Sequence, residues 1–349
     1  MAKRRAVSTA FLIAGGLGLV LQILVSVWHA AGRLDDFFAL FTQEAQTVLY
    51  VACGVLGAVL LTVGHVLRHK GSLKAYGPLF LLPMFAAFCI GFVWPFLWGI
   101  YLSFFRFKTL RFTEFVGFEN YVKAVGDESF LSSFWFTLGF TIVSVVLINL
   151  LAFAIALALT RGIRGSTVFR TVFFMPNLIG GIVLGYIWKL ILDGAIGYFF
   201  NSALALDATY GFWGLIILMC WQQIGYMMII YIAGLQNVPV EYIEAAKIDG
   251  SGPWQQLWHI TLPSVMPSVT ICTFLTLTNS FKLFDQNLAL TAGAPFRETE
   301  MLALNIYNSF YSSVTNMGVG QAKAVLFFLA VVAIGLSQLW LTRRREVQQ

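Results

Sequence analysis

Eight stretches of this chain, each about twenty residues long, are apolar and nearly free of charge. They run approximately over 8–28, 47–67, 77–101, 133–160, 168–191, 211–234, 264–284 and 321–341. A helix rises about 1.5 Å per residue, so about twenty apolar residues cross a hydrocarbon core roughly 30 Å thick. A spanning segment must satisfy its own backbone polar groups, and a helix does so internally. The expectation is an all-α integral membrane protein with about eight transmembrane helices. The first stretch follows Lys3, Arg4 and Arg5. Its apolar part, about 18 residues, exceeds the usual 7–15 of a signal-peptide core, so it reads as a retained helix.

Composition excludes the alternatives. Hydrophobic residues make up 59% of the 349 and charged residues only 11%, against about 25% charged in soluble domains. So few charges cannot cover a soluble protein of this size, and a disordered chain, a coiled coil and a secreted disulfide scaffold fail on the same ground. The net charge of +6 does not indicate a nucleic-acid partner, because the basic residues lie in small groups between the apolar runs and not on one face of a domain. Cys53, Cys89, Cys220 and Cys272 all sit inside apolar runs with no paired spacing; they read as small hydrophobic side chains between helices.

Orientation follows from Lys and Arg in alternate loops. With the N-terminus inside, the inner segments hold 13 and the outer segments 6, the remainder lying near helix ends. Both termini are therefore expected in the cytoplasm, although the outer loop 103–131 carries Arg106, Lys108, Arg111 and Lys123. The loops leave no room for a soluble catalytic domain. No phosphate-cradling Gly-x-x-x-x-Gly-Lys-[Ser/Thr] pattern occurs, and His29, His65, His69 and His259 are isolated, so no catalytic residue, metal site or cofactor bound by this chain is expected. Asp285, at the end of the seventh stretch, is the nearest candidate for an ion relay. A secondary transporter normally places more ionisable groups at membrane depth, so energy for any transport is expected to come from elsewhere.

One loop carries more order than a connection requires. Residues 237–263 read as helix, turn, helix: Pro239 suits a first turn, Glu241, Glu244, Ala245 and Ala246 favour helix, and Gly250 can take the positive φ that ends it. Ser251 and Pro253 start a second piece with Leu257, Trp258 and Ile260 on an apolar side, and Pro263 is expected to end it. Small residues beside the Glu244 carboxylate suit a docking surface.

These residues resemble the EAA loop of ABC importer permeases: Glu244-Ala245-Ala246, then Asp249 and Gly250, then Ile260, Leu262 and Pro263. More of the chain is similar to the membrane subunits of carbohydrate importers of the maltose-transporter type. The similar residues are Gly117-Phe118-Glu119-Asn120-Tyr121 with Asp127 and Phe130, Phe174-Met175-Pro176 with Ile187-Trp188-Lys189, and Phe281 to Asp285. Thr291-Ala292-Gly293-Ala294-Pro295 and Thr299 follow, with Ala294 standing where the family usually has a second glycine. The resemblance covers roughly 77–342. It implies a core of six helices over 76–349 with a cytoplasmic coupling loop at 237–263, and residues 1–75 as an extension with two more helices.

The resemblance also implies partners: a second permease subunit in a heterodimer, two copies of a cytoplasmic ATPase that uses ATP and Mg, an extracytoplasmic solute-binding protein, a sugar substrate and a bacterial or archaeal cytoplasmic membrane. The sugar would meet the helices flanking the coupling loop. Gln222, Gln223 and Tyr226 on the sixth stretch, and Thr276, Asn279, Ser280 and Leu283 on the seventh at i, i+3, i+4 and i+7, are the candidates. Their amides and hydroxyls match sugar hydroxyls, and an aromatic ring matches a C–H face; interhelical hydrogen bonding is the competing role for each. Gly181 and Gly185 have a spacing that suits close helix packing. The alternative function is an integral-membrane enzyme acting on a lipid-linked substrate, which would require a cluster of His, Asp or Glu at one membrane face.

Overall fold

The computed structural model describes residues 77–108, 113–311 and 317–343; the expected spans 8–28 and 47–67 lie outside them. The chain divides into two compact units, Met1–Gly99 and Ile100–Gln349. In the first, α1 (Gly77–Phe88) passes through a π turn (Cys89–Val93) into α2 (Trp94–Leu102), whose last three residues fall in the second. The Trp94 N–H reaches back to the Cys89 carbonyl, immediately ahead of Pro95. Proline offers no N–H and crowds the carbonyl four residues back, and the widened turn relieves both faults without ending the helix.

The second unit begins with a hairpin of β1 (Phe105–Phe107) and β2 (Thr113–Phe115), antiparallel with Phe105 opposite Phe115, and α3 (Glu119–Val125). Asn120 Nδ2 donates to the Ser103 and Phe105 carbonyls, both at 2.9 Å. Buried Asn120 thereby ties α3 to the hairpin. Arg106 donates to Glu119 over 2.8 Å; with Lys123 it holds the Glu119 carboxyl below the usual range, the Lys123 hydrogen bond being the larger cause.

Helix α4 (Glu128–Thr160) starts where Asp127 Oδ1 accepts the Ser129 N–H, an N-cap. Its buried side is a stripe of mostly small residues, Ser133, Thr137, Thr141, Ser144, Ala152 and Ala156. Lipid gives helices no hydrophobic reason to associate, so small side chains that admit a close neighbour take that role. The neighbour is α7 (Ala208–Gln236). Phe136 and Phe140 meet Phe212, while Asn149 and Phe153 meet Tyr231, so α4 and α7 run parallel.

Between them the expected span 168–191 is broken. The chain forms α5 (Ser166–Phe174), a 3-10 turn (Met175–Leu178) and α6 (Gly181–Phe200). Pro176 and the pair Gly180 and Gly181 interrupt the ladder, and the segment that meets the length and hydropathy of a span is Gly181–Phe200. Phe173 lies against Gly225 of α7 so closely that a Cβ there would overlap the Phe173 carbonyl oxygen.

The loop after α7 forms α8 (Val240–Ile248) and α9 (Pro253–Gln256), which passes through a second π turn (Leu257–Thr261) into α10 (Leu262–Ser264). Pro263 therefore does not end this piece; the π turn ahead of it accommodates the ring as at Pro95, and the break falls at Val265. α11 (Met266–Phe281) leaves at a bend of 69°. Then come α12 (Asp285–Leu290), α13 (Leu302–Tyr311) and α14 (Met317–Arg343). A Cβ on Gly185 of α6 would stand 2.5 Å from that of Ala289 on α12, so the spaced glycines serve packing. Among the described residues five helices are long and apolar enough to cross a bilayer, and a sixth if the bent pair counts as one span.

At the end of the bundle opposite α8, a polar cluster replaces apolar packing. Lys323, 2% exposed, donates to Asp127 Oδ2 at 2.6 Å, Ser309 Oγ at 2.7 Å and Asn305 Oδ1 at 3.1 Å. Glu300, also buried, accepts from Asn308, Asn305 and Ser129. Asn287 bonds Thr291, the Thr299 carbonyl and the Met301 N–H. The segment between α12 and α13 forms only turns, so side chains satisfy the buried polar groups that a ladder would otherwise pair.

Candidate functional site

Two surfaces bring the expected residues together. The first is α8. Its C-terminus is closed by a Schellman motif: the Ser251 N–H bonds the Ala246 carbonyl at 2.9 Å and the Gly250 N–H bonds the Lys247 carbonyl at 3.1 Å. This pattern requires a left-handed residue at Gly250, whose φ is +78. Ser251 Oγ adds a bond to the Ala246 carbonyl at 2.6 Å. Beyond the turn, Gln255 accepts the Gly252 N–H and Gln256 donates to the Ser251 carbonyl, so the start of α9 is pinned as firmly as the end of α8.

This hydrogen-bonded elbow presents Glu244, Ala245, Asp249 and Gly250 to solvent, with Ala246 half-buried. Ile260, Leu262 and Pro263 are half-buried. Tyr242, Trp254 and Trp258 are exposed, and Ile248 is 87% exposed. Four large apolar side chains left exposed on one short segment suit an interaction site.

The second surface is a cavity of about 270 Å³ near the middle of α7, lined by Met219, Gln223, Asn279, Lys282, Leu283, Phe284, Asp285 and Gln286. Of the seven candidates, Gln223, Asn279 and Leu283 line it. Asn279 Nδ2 donates to Gln223 Oε1 at 3.4 Å, a loose bond that leaves amide capacity facing the cavity.

Gln222 is buried beside the cavity. It accepts from Gln286 Nε2 at 2.7 Å and donates to the Ile179 carbonyl at 3.5 Å, where the chain between α5 and α6 is unwound. Tyr226 is half-buried, its ring 6.5 Å from that of Phe174. Thr276 and Ser280 are fully buried. Thr276 belongs to a chain of bonds across three helices: Tyr231 donates to Asn149 at 2.7 Å, Asn149 to Thr276 at 3.4 Å, and Thr276 to the Cys272 carbonyl at 2.7 Å.

Four lining groups, Lys282, Phe284, Asp285 and Gln286, are not members of the helical stripe read from the sequence. α11 ends at Phe281 and α12 restarts at Asp285, so a 3.6-residue period cannot be extended through the break. The signal present was composition: Lys282, Asp285 and Gln286 are three polar residues at the end of an apolar stretch.

Residues 148–347 match the family of binding-protein-dependent transport system inner membrane components. The chain is 42% identical over 277 residues to a probable starch degradation products transport system permease protein, AmyD, of Thermoanaerobacterium thermosulfurigenes, covering 77% of this chain and 94% of that one. It is 30% identical to the multiple sugar-binding transport system permease protein MsmF of Streptococcus mutans, covering 78% of this chain and 97% of that one. Among solved structures, a subunit of a bacterial ABC transporter involved in the import of the acidic polysaccharide alginate superposes with a TM-score of 0.67 at 18% identity, over 78% of this chain and 97% of its own. None of these likenesses supports an integral-membrane enzyme acting on a lipid-linked substrate.

Proposed function

The chain belongs to the family of binding-protein-dependent transport system inner membrane components, and from that premise we propose that it carries a sugar or oligosaccharide across the membrane. The observation that carries the reading is the polar cavity halfway along α7, where Gln223, Asn279 and Gln286 present carboxamides beside Leu283, Phe284 and Met219. Carboxamides both donate and accept, as sugar hydroxyls do, and the apolar groups suit the C–H faces. Two relatives are named for starch degradation products and multiple sugars, which supports the same class. Gln222, Gln223, Tyr226, Thr276, Asn279, Ser280 and Leu283 form the proposed substrate region, Gln222 acting through Gln286.

The elbow of α8 is the proposed coupling element. Glu244, Ala245, Ala246, Asp249 and Gly250 would seat in a cleft of a cytoplasmic ATPase subunit, with Ile260, Leu262 and Pro263 transmitting its movement into α11 across the 69° bend. ATP and Mg belong to that partner, present in two copies, and this chain is non-catalytic. A second permease subunit would complete the cavity, and an extracytoplasmic binding protein would deliver the sugar. Movement of the elbow would switch cavity access between the two sides, as alternating access requires. The basic inner loops support cytoplasmic termini, and the extension 1–75 would precede the permease core 76–349.

The test is reconstitution in vesicles of this chain with its partner permease, ATPase and binding protein, offered a panel of mono- and oligosaccharides. ATP-dependent uptake of a panel sugar is expected, and none without the ATPase. A complex that hydrolyses ATP but takes up no sugar of the panel would overturn the substrate class.

A further inference from the structure

Lys282 and Asp285 line the same cavity from opposite sides of the break between α11 and α12. Both are exposed within the chain, and neither makes an ion pair among the described residues. The contrast lies within the same molecule. Lys323, on α14, is buried against Asp127 with three hydrogen bonds. An ionised side chain at membrane depth is expensive and is kept there for a function.

We propose that Lys282 and Asp285 select a neutral, polyhydroxylated ligand: Asp285 accepts from adjacent hydroxyls, and Lys282 donates to another hydroxyl oxygen. The assignment rests on the sugar reading above and names the kind of sugar the cavity admits. An ionised carboxylate only accepts and an ammonium only donates. An anionic ligand satisfies Lys282 and is repelled by Asp285; a cationic one meets the reverse. A hydroxyl does both, so a neutral polyol satisfies both charges at once. The discrimination therefore includes repulsion of wrong ligands as well as attraction of the right one. Gln223 and Asn279 complete a lining that carries no net charge.

The experiment uses the complete reconstituted complex and the panel sugar taken up fastest, with its monodeoxy analogues. Uptake is measured below saturation for wild type, Asp285→Ala and Lys282→Met. In wild type, loss of a contacted hydroxyl is expected to slow uptake at least about tenfold, the usual effect of a hydrogen bond to a charged group. Asp285→Ala should slow the parent sugar by a similar factor and lose no more on the analogue lacking its hydroxyl, while staying sensitive to the others. Lys282→Met should do the same at a different position. Where the alanine variant fails to co-purify as a complex, the isosteric Asp285→Asn carries the same comparison. Equal slowing of every analogue by these variants would overturn the assignment while leaving sugar transport standing; absence of uptake by wild type removes the sugar reading itself.

Discussion

Lys323 Nζ lies 2.6 Å from Asp127 Oδ2 across 196 residues of chain, joining the start of α14 to the cap of α4. Burial alone would raise the pKa of Asp127, but the hydrogen bond and charge of Lys323, with the backbone N–H groups of Ser129 and Phe130, outweigh it and hold the carboxyl below its ordinary value. A lowered folded pKa contributes stability that is complete above the unfolded value of about 3.9 and is lost as pH falls through the folded one. Thermal unfolding of the purified protein in detergent should show a melting temperature that falls below about pH 4, and Asp127→Asn should lack that component. Lys323 would then sit buried without its counter-ion, at a cost of about 3 kcal/mol. An unchanged acid limb in the variant would remove the pair from the stability argument.

Gly225 should not tolerate a side chain. The Phe173 carbonyl occupies the place of its Cβ, and a backbone atom on a packed helix cannot rotate away. Gly225→Ala is expected to separate α5 from α7 and to destabilise by about 1–3 kcal/mol or more. The check is yield and melting temperature of the variant; Gly91→Ala, where the Cβ meets nothing within 4 Å, is the control.

The cavity amides should matter for uptake and not for assembly. Gln223→Leu and Asn279→Leu each remove a hydrogen-bonding group from the lining while keeping volume. Each is expected to reduce uptake by the equivalent of about 1–3 kcal/mol, with the complex still co-purifying. Wild-type uptake in both would return the two residues to helix packing.

At the elbow, Glu244→Lys and Gly250→Val should fail for different reasons. The first reverses a charge that an enclosing partner must satisfy, an effect of about 2–5 kcal/mol when a desolvated pair is broken. The second forces a β-branched residue into φ +78 and disrupts the Schellman closure. Both should lose the ATPase on co-purification or hydrolyse ATP without sugar uptake. If both retain the ATPase and full transport, α8 is not the coupling element.

The sequence by itself determined the class of molecule and the position of the elbow. A run of twenty apolar residues has one stable form in lipid, because each backbone group must be paired within the segment. A glycine that closes a helix-forming run commonly takes a left-handed φ, as Gly250 does, although Gly126 closes α3 at φ −79. These are local constraints, and local constraints are legible in a string.

What only the tertiary structure decided is what meets what. The stretch 168–191 satisfies the length of a span but is cut at Pro176 and Gly180, and only packing against α7 and α12 shows where the chain resumes. Adjacent Gln222 and Gln223 look alike in sequence; one turns to Gln286 and Ile179, the other to the cavity. Lys282 and Asp285 reach that cavity because α11 breaks before them. Helical periodicity predicts neighbours only while the helix is continuous, and the residues that complete the site come from beyond the break, as does the Lys323 partner of Asp127. Their proximity is a property of how the helices pack, not of any spacing along the chain.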